Sequence, residues 1–240
     1  MRTLVQGAVI AALVLGSGVA RAQDIDDAGL VYWGFTADRL EYRFGDEEDV
    51  IAVEADAFVG TDKFKARLES EVEYGVDEEA FERQRHQLVG QIPISPFFDA
   101  KAGIGINAPE GPDRWYGIVG LHGLAPQWFE LDADFLVSET GDAAIEFEAE
   151  YEALITNRII LVPSVEFDFG FTDDEEIGAG QWLRSVELGA RLSYDLIDRA
   201  VAPYVGVHYE RLFGETADLA KAEGGDRDAL SAVVGVRLMF

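Results

Sequence analysis

Cysteine is absent from this 240-residue chain, methionine occurs twice and histidine three times. Without cysteine there is neither disulfide bracing nor thiolate chemistry, and any metal must be held by imidazole, thioether or carboxylate. With methionine only at Met1 and Met239, thioether ligation has little to offer. Positive charge is scarce as well: 19 Lys and Arg face 46 Asp and Glu, a formal net charge of −27. This argues against nucleic acid as a partner and favours cations. After residue 22 no stretch approaches the roughly 18 uncharged apolar residues that a spanning helix needs, so no such helix is expected there.

What is present begins with a secretory signal. Arg2 gives a basic start, Leu4 to Leu15 is mostly apolar, and Ala20-Arg21-Ala22 offers a cleavage site before Gln23. Residues 1–22 are expected to direct export, residues 23–29 to form a short acidic leader, and residues 30–240 to be one domain. The signal holds Arg2 and Arg21 and no acid, which leaves 17 basic against 46 acidic residues in the remainder, formally −29. Acidity on this scale can mean disorder. Here 11% aromatic residues and a mean hydropathy of +0.01 speak for a folded chain.

The stretch from Leu121 to Phe171 sets the fold class. Phe129, Leu131, Ala133, Phe135 and Val137 alternate with Glu130, Asp132 and Asp134. Ile145, Phe147, Ala149, Tyr151 and Ala153 alternate with Glu146, Glu148, Glu150 and Glu152. Ile159, Leu161, Val165, Phe167, Phe169 and Phe171 oppose Ser164, Glu166 and Asp168. A period of two sends such sets to opposite faces of a strand, and a face made of Glu cannot enter a dry core. One face is wet and the other is wholly apolar.

The same alternation runs through most of the chain, punctuated by turn residues. A phase slip near Asp38 reads as a β-bulge. Residues 79–89 are the least legible and are taken as a strand because their neighbours need a partner, while Gly214 to Gly225 reads as a polar loop. The count comes to about twelve strands, an even number, with both chain ends on the periplasmic side and the long connections after Phe171 and Phe213 outside. Trp33, Tyr74, Trp115, Trp128, Tyr151, Trp182 and Tyr194 sit near strand ends, as interfacial aromatic girdles do. The expected fold is all-β: an antiparallel up-and-down transmembrane β-barrel preceded by a signal peptide. A two-layer sandwich or a lipocalin would also alternate, but its apolar face would point inward.

The segments GLAPQWFELDADFLVSETGD, FEAEYEALITNRIILVPSVEFDF and APYVGVHYERLFGETAD, with the terminal VVGVRLMF, resemble the copper resistance protein B family of outer-membrane proteins. The resemblance covers most of residues 29–240 and is strongest after Leu121. It implies a small barrel of the bacterial outer membrane acting in copper homeostasis or tolerance, usually alongside a periplasmic multicopper oxidase. Outer-membrane lipid and the barrel assembly machinery, which would read the terminal Phe240, are its other expected partners. Many members carry a Met- and His-rich region before the barrel; residues 23–29 have neither residue, which argues against high-capacity copper sequestration.

Within the barrel, the inward set is rich in Asp and Glu, interleaved with Lys65, Arg67, Lys101, Arg114, Arg191 and Arg237. Such charges either pair across strands and plug the lumen or line a path that concentrates cations. Copper prefers imidazole to carboxylate alone. His208 shares an inward face with Glu210, and His122 faces inward on a strand that is not its sequence neighbour; His86 lies in the illegible segment. His122, His208 and Glu210 are therefore the expected ligands of a weakly bound copper ion. Enzymatic activity is not expected. There is no nucleotide loop, zinc-protease motif or nucleophile elbow, and Ser70 faces outward with no histidine expected beside it. The function read from the sequence is copper binding or conduction through an acidic lumen. The alternative is a generic cation-selective pore or a structural barrel.

Overall fold

A computed structural model describes residues 30–45, 48–108, 112–197 and 199–240. The expected signal peptide, 1–22, and acidic leader, 23–29, lie outside the described residues. Twelve strands follow one another: β1 (Tyr32–Gly45), β2 (Val50–Thr61), β3 (Phe64–Gly75), β4 (Ala80–Pro93), β5 (Phe98–Asn107) and β6 (Arg114–Ala125). The second half comprises β7 (Phe129–Ser138), β8 (Ala143–Tyr151, resumed after Glu152 as Ala153–Leu154), β9 (Ile159–Gly170), β10 (Trp182–Tyr194), β11 (Val201–Leu212) and β12 (Asp228–Met239). Each pairs antiparallel with the next, and β12 pairs back onto β1, so the sheet closes without a free edge. The seam is tied at its end by Phe35 N–H to Phe240 O at 2.9 Å and Phe240 N–H to Phe35 O at 2.8 Å.

Burial in this barrel is inverted relative to a water-soluble domain. Lys101 is 2% exposed and Glu41 4%, whereas Val119 is 62% exposed and Leu88 54%. Apolar side chains cover the outside and charged ones fill the inside, which excludes the sandwich and the lipocalin and leaves lipid as the outer solvent. No described helix is long and apolar enough to cross a membrane; crossing is by strands. Cross-strand aromatic contacts lace the outer wall, with Phe147 and Phe167 centroids 6.2 Å apart and Phe169 and Trp182 at 5.9 Å.

One end of the barrel has short turns, such as Thr61 to Phe64 and Ala125 to Phe129, and carries both described chain ends. The other has the long connections, 170–182 and 212–228. Short turns mark the periplasmic end and long loops the outside. The pairing register breaks between Ala37 and Arg39, which puts the bulge at Asp38, and Arg237 Nε lies 3.1 Å from its carboxylate. A second break, opposite Glu73 and Tyr74, inserts Glu82 into β4. That extra residue explains why 79–89 hides its alternation: Phe81 pairs with Tyr74, but Arg83 pairs with Glu73.

The expectation of a polar loop at Gly214 to Gly225 is corrected: Gly214–Glu223 is a helix, α1. The run Leu-Ala-Lys-Ala is built from good helix formers, and Gly224, at φ 103°, ends it in the left-handed conformation that glycine tolerates. Among its described side chains only Ala217 is fully buried, so α1 has no apolar stripe for a sequence reading to find.

Candidate functional site: a charged lumen in two cavities

The strand period aims Glu, Asp and Arg into the lumen, and most of the arginines tie several carboxylates each. Glu41 accepts from Arg43 Nε at 2.8 Å, from Arg191 Nε and Nη2 at 2.8 Å each, and from Tyr204 Oη at 2.9 Å. Arg39 reaches Glu148 at 2.6 Å, Glu54 at 3.0 Å and Glu150 at 3.1 Å. Arg83 bridges Glu71 and Glu187 at 2.7 Å each, and Arg85 pairs with Glu146 and, at 2.8 Å, with Glu71. Lys101 Nζ sits between Asp132 at 2.5 Å and Asp134 at 2.9 Å. Many of these pairs join strands far apart in sequence, so the lattice braces the barrel across its interior.

The lattice leaves two cavities, one above the other. The inner one, of about 160 Å³, lies toward the short-turn end and is lined by twelve carboxylate residues, four arginines and His122. The outer one, of about 230 Å³, is lined by three carboxylate residues and three arginines, together with Tyr116, Ile118, Leu136 and Ala144. Arg85, Gln87 and Glu146 line both and form the partition. A cation entering from the periplasmic end meets a strongly negative well, and one entering from outside meets a balanced wall.

The loop between β9 and β10 folds over the outer cavity, with Ile177, Gly178 and Ala179 in its wall. It is pinned from three directions. Arg114 of β6 donates to Asp174 at 2.8 and 3.2 Å and to Glu176 at 2.6 Å. Arg184 of β10 donates to the Gly180 and Thr172 carbonyls at 2.7 and 3.0 Å, and Gly180 N–H donates to Thr216 Oγ1 of α1 at 3.0 Å. On the outer surface, exposed Asp173, Glu175 and Glu215 bring carboxylate oxygens within 4.8 Å of one another. That cluster joins two loops, so it was invisible in either segment alone.

All three sequence-expected ligands face the lumen, but not in one place. His122 lines the inner cavity. Its Nε2 is 3.1 Å from Arg67 Nη1, which must donate, so Nδ1 carries the proton and donates to Asp132 Oδ2 at 3.1 Å. A carboxylate behind one ring nitrogen is the arrangement that metal-binding histidines use, but the Nε2 lone pair is taken up by Arg67, which must swing away before that nitrogen can hold a metal. Glu210 lines the outer cavity. His208 is 6% exposed and lines neither; its Nε2 faces Arg43 at 3.4 Å and Glu187 at 3.6 Å. Strands β6 and β11 are not neighbours, and the structure does not bring His122 against the other two.

The expectation that Ser70 has no histidine beside it is corrected. His86 pairs with Ser70 across β3 and β4 on the outer wall, and Ser70 Oγ lies 2.9 Å from His86 Nδ1. The inserted Glu82 hid the face of His86 in the sequence. The pair satisfies two polar groups on a lipid-facing surface, where each would otherwise lack a partner.

The family described as copper resistance protein B precursor (CopB) matches residues 31–240. Copper resistance protein B of Escherichia coli is 36% identical over 203 residues, covering 85% of this chain and 68% of that protein. The copper resistance protein B homolog of Pseudomonas syringae pv. tomato (strain ATCC BAA-871 / DC3000) is 32% identical over 208 residues, covering 86% and 69%. Among solved structures, the KdgM porin aligns with a TM-score of 0.51 at 11% identity, over 86% of this chain and 99% of that one. The NanC porin aligns with a TM-score of 0.52 at 13% identity, over the same shares. These two show the fold: a porin-like barrel.

Proposed function

Since the chain belongs to the copper resistance protein B family of outer-membrane barrels, we propose that it takes copper ions into its acidic lumen and lets them pass. The observation that carries this reading is the inner cavity, where twelve carboxylate residues outnumber four arginines around His122. Imidazole and carboxylate together suit Cu(II), and a wet, multi-carboxylate site holds an ion weakly enough to release it. On this reading His122, backed by Asp132, is the contact at the periplasmic end, and Glu210 is a second contact nearer the outside, which His208 joins only once its packing against Arg43 and Glu187 opens. A periplasmic multicopper oxidase would then meet the barrel at its short-turn end.

Metal analysis of barrel purified from copper-supplemented cells tests the reading, together with copper-dependent growth of a deletion strain complemented by wild type or by His122→Ala/His208→Ala. Copper in the wild type, lowered in the double variant with assembly intact, supports it. Equal copper in both makes the histidines structural. The extent of charge pairing in the lumen favours a second reading, a structural barrel whose inward charges only brace it. No copper in the wild type and no growth defect in the deletion strain would select that one.

A further inference from the structure

The pairing register connects the two ends of the lumen. His122 of β6 stands opposite Asp132 of β7, Asp132 opposite Glu148 of β8, Glu148 opposite Glu166 of β9, Glu166 opposite Glu187 of β10, and Glu187 opposite Glu210 of β11. Five carboxylates on consecutive strands thus form one unbroken cross-strand row. The row climbs, because barrel strands tilt by roughly 35–45°. It begins at His122, fourth from the periplasmic end of β6, and reaches Glu210, third from the outer end of β11. Neighbouring strands are about 4.8 Å apart, so each step is short for a hydrated ion.

Like charges placed directly opposite are destabilising, and the lattice offsets only some of these. Lys101 answers Asp132, Arg39 answers Glu148 and Arg83 answers Glu187. Glu166, lining the inner cavity, and Glu210, lining the outer, have no ion-pair partner among the described residues. Two further buried polar atoms face the inner cavity, where the row begins. Gln87 Oε1 and Asp134 Oδ1 belong to residues each 5% exposed, line the inner cavity and have no hydrogen-bond partner in the protein. Buried polar atoms are rarely left in that state.

Resting on the proposed reading of the lumen as a cation path, we propose that this row is the route by which a divalent cation crosses it. Glu166 is the intermediate holding point, and the Arg83–Glu187 pair is the step that must open. The charge asymmetry of the two cavities loads the route from the periplasmic end.

The test uses purified full-length barrel in liposomes containing a fluorescent chelator, with Cu(II) and, separately, Ca(II) added outside. Glu166→Gln should slow entry of both ions severalfold. Glu152→Gln, a carboxylate at the short-turn end that pairs with Arg199 and Arg237 and lines neither cavity, should leave entry near wild type. Arg83→Gln should raise it. Heat-modifiable migration confirms that each variant is assembled. Wild-type entry in Glu166→Gln, equal losses in Glu166→Gln and Glu152→Gln, or no entry of either ion in the wild type would each overturn the row. Entry of Ca(II) but not Cu(II), still dependent on Glu166, would keep the row and reject copper as its cargo.

Discussion

Arg191 grips both carboxylate oxygens of Glu41 from across the lumen, Nε to Oε2 and Nη2 to Oε1, at 2.8 Å each. Their side chains are 7% and 0% exposed, so this is a pair enclosed by protein. Removing one partner of such a pair costs about 3–5 kcal/mol, because the other charge stays buried without its match. Glu41→Ala should be worse than Arg191→Ala, since Arg191 would keep only Ser164 Oγ at 3.5 Å while Arg43 keeps Glu73. Glu41→Leu with Arg191→Met should cost less than Glu41→Ala. Unfolding midpoints of the three variants in detergent check the order.

The loop over the outer cavity depends on Arg114, which reaches it from three strands away. Arg114→Ala should release residues 172–181 without opening the barrel wall. Protease added to intact cells should then cut that loop faster, while heat-modifiable assembly stays normal. Unchanged protection would mean that Arg184 and Thr216 hold the loop by themselves.

The outer wall gives a prediction of opposite sense to the lumen. Phe135→Asp or Phe147→Lys puts charge into lipid, at a cost of roughly 2–4 kcal/mol near the midplane of a barrel. Both variants should insert poorly. Glu148→Gln, on the adjoining inward position, should assemble as wild type. Normal heat-modifiability of the two phenylalanine variants would reject the face assignment.

Deleting Phe240 removes the last rung of the seam, both of its backbone hydrogen bonds to Phe35 included. Slower assembly and less protein in the outer membrane are expected at native expression. Wild-type amounts would count against a role for the terminal residue in either closure or recognition.

The two faces of the barrel were legible because a strand repeats every two residues, so Glu148 and Phe147 declare their sides without any knowledge of their partners. What could not be read was anything set by register. The row from His122 to Glu210 depends on five pairings that turn length and bulges fix jointly. The inserted Glu82 turned His86 outward beside Ser70, and no local pattern announces that one extra residue. Arg–Glu partners such as Arg83 and Glu187, 104 residues apart, are likewise a product of closure. Helix α1 was missed for a different reason: its side chains are mostly polar, so nothing periodic marks it.

The strict alternation of β7 to β9 has an effect before any barrel exists. A chain whose apolar residues are each separated by a charge offers no continuous greasy segment, so an inner membrane passed during export has nothing to retain. Lipid affinity is therefore not a property of the polypeptide in transit. It appears only when pairing gathers the scattered phenylalanines onto one side, and the protein becomes a membrane protein by the same act that folds it.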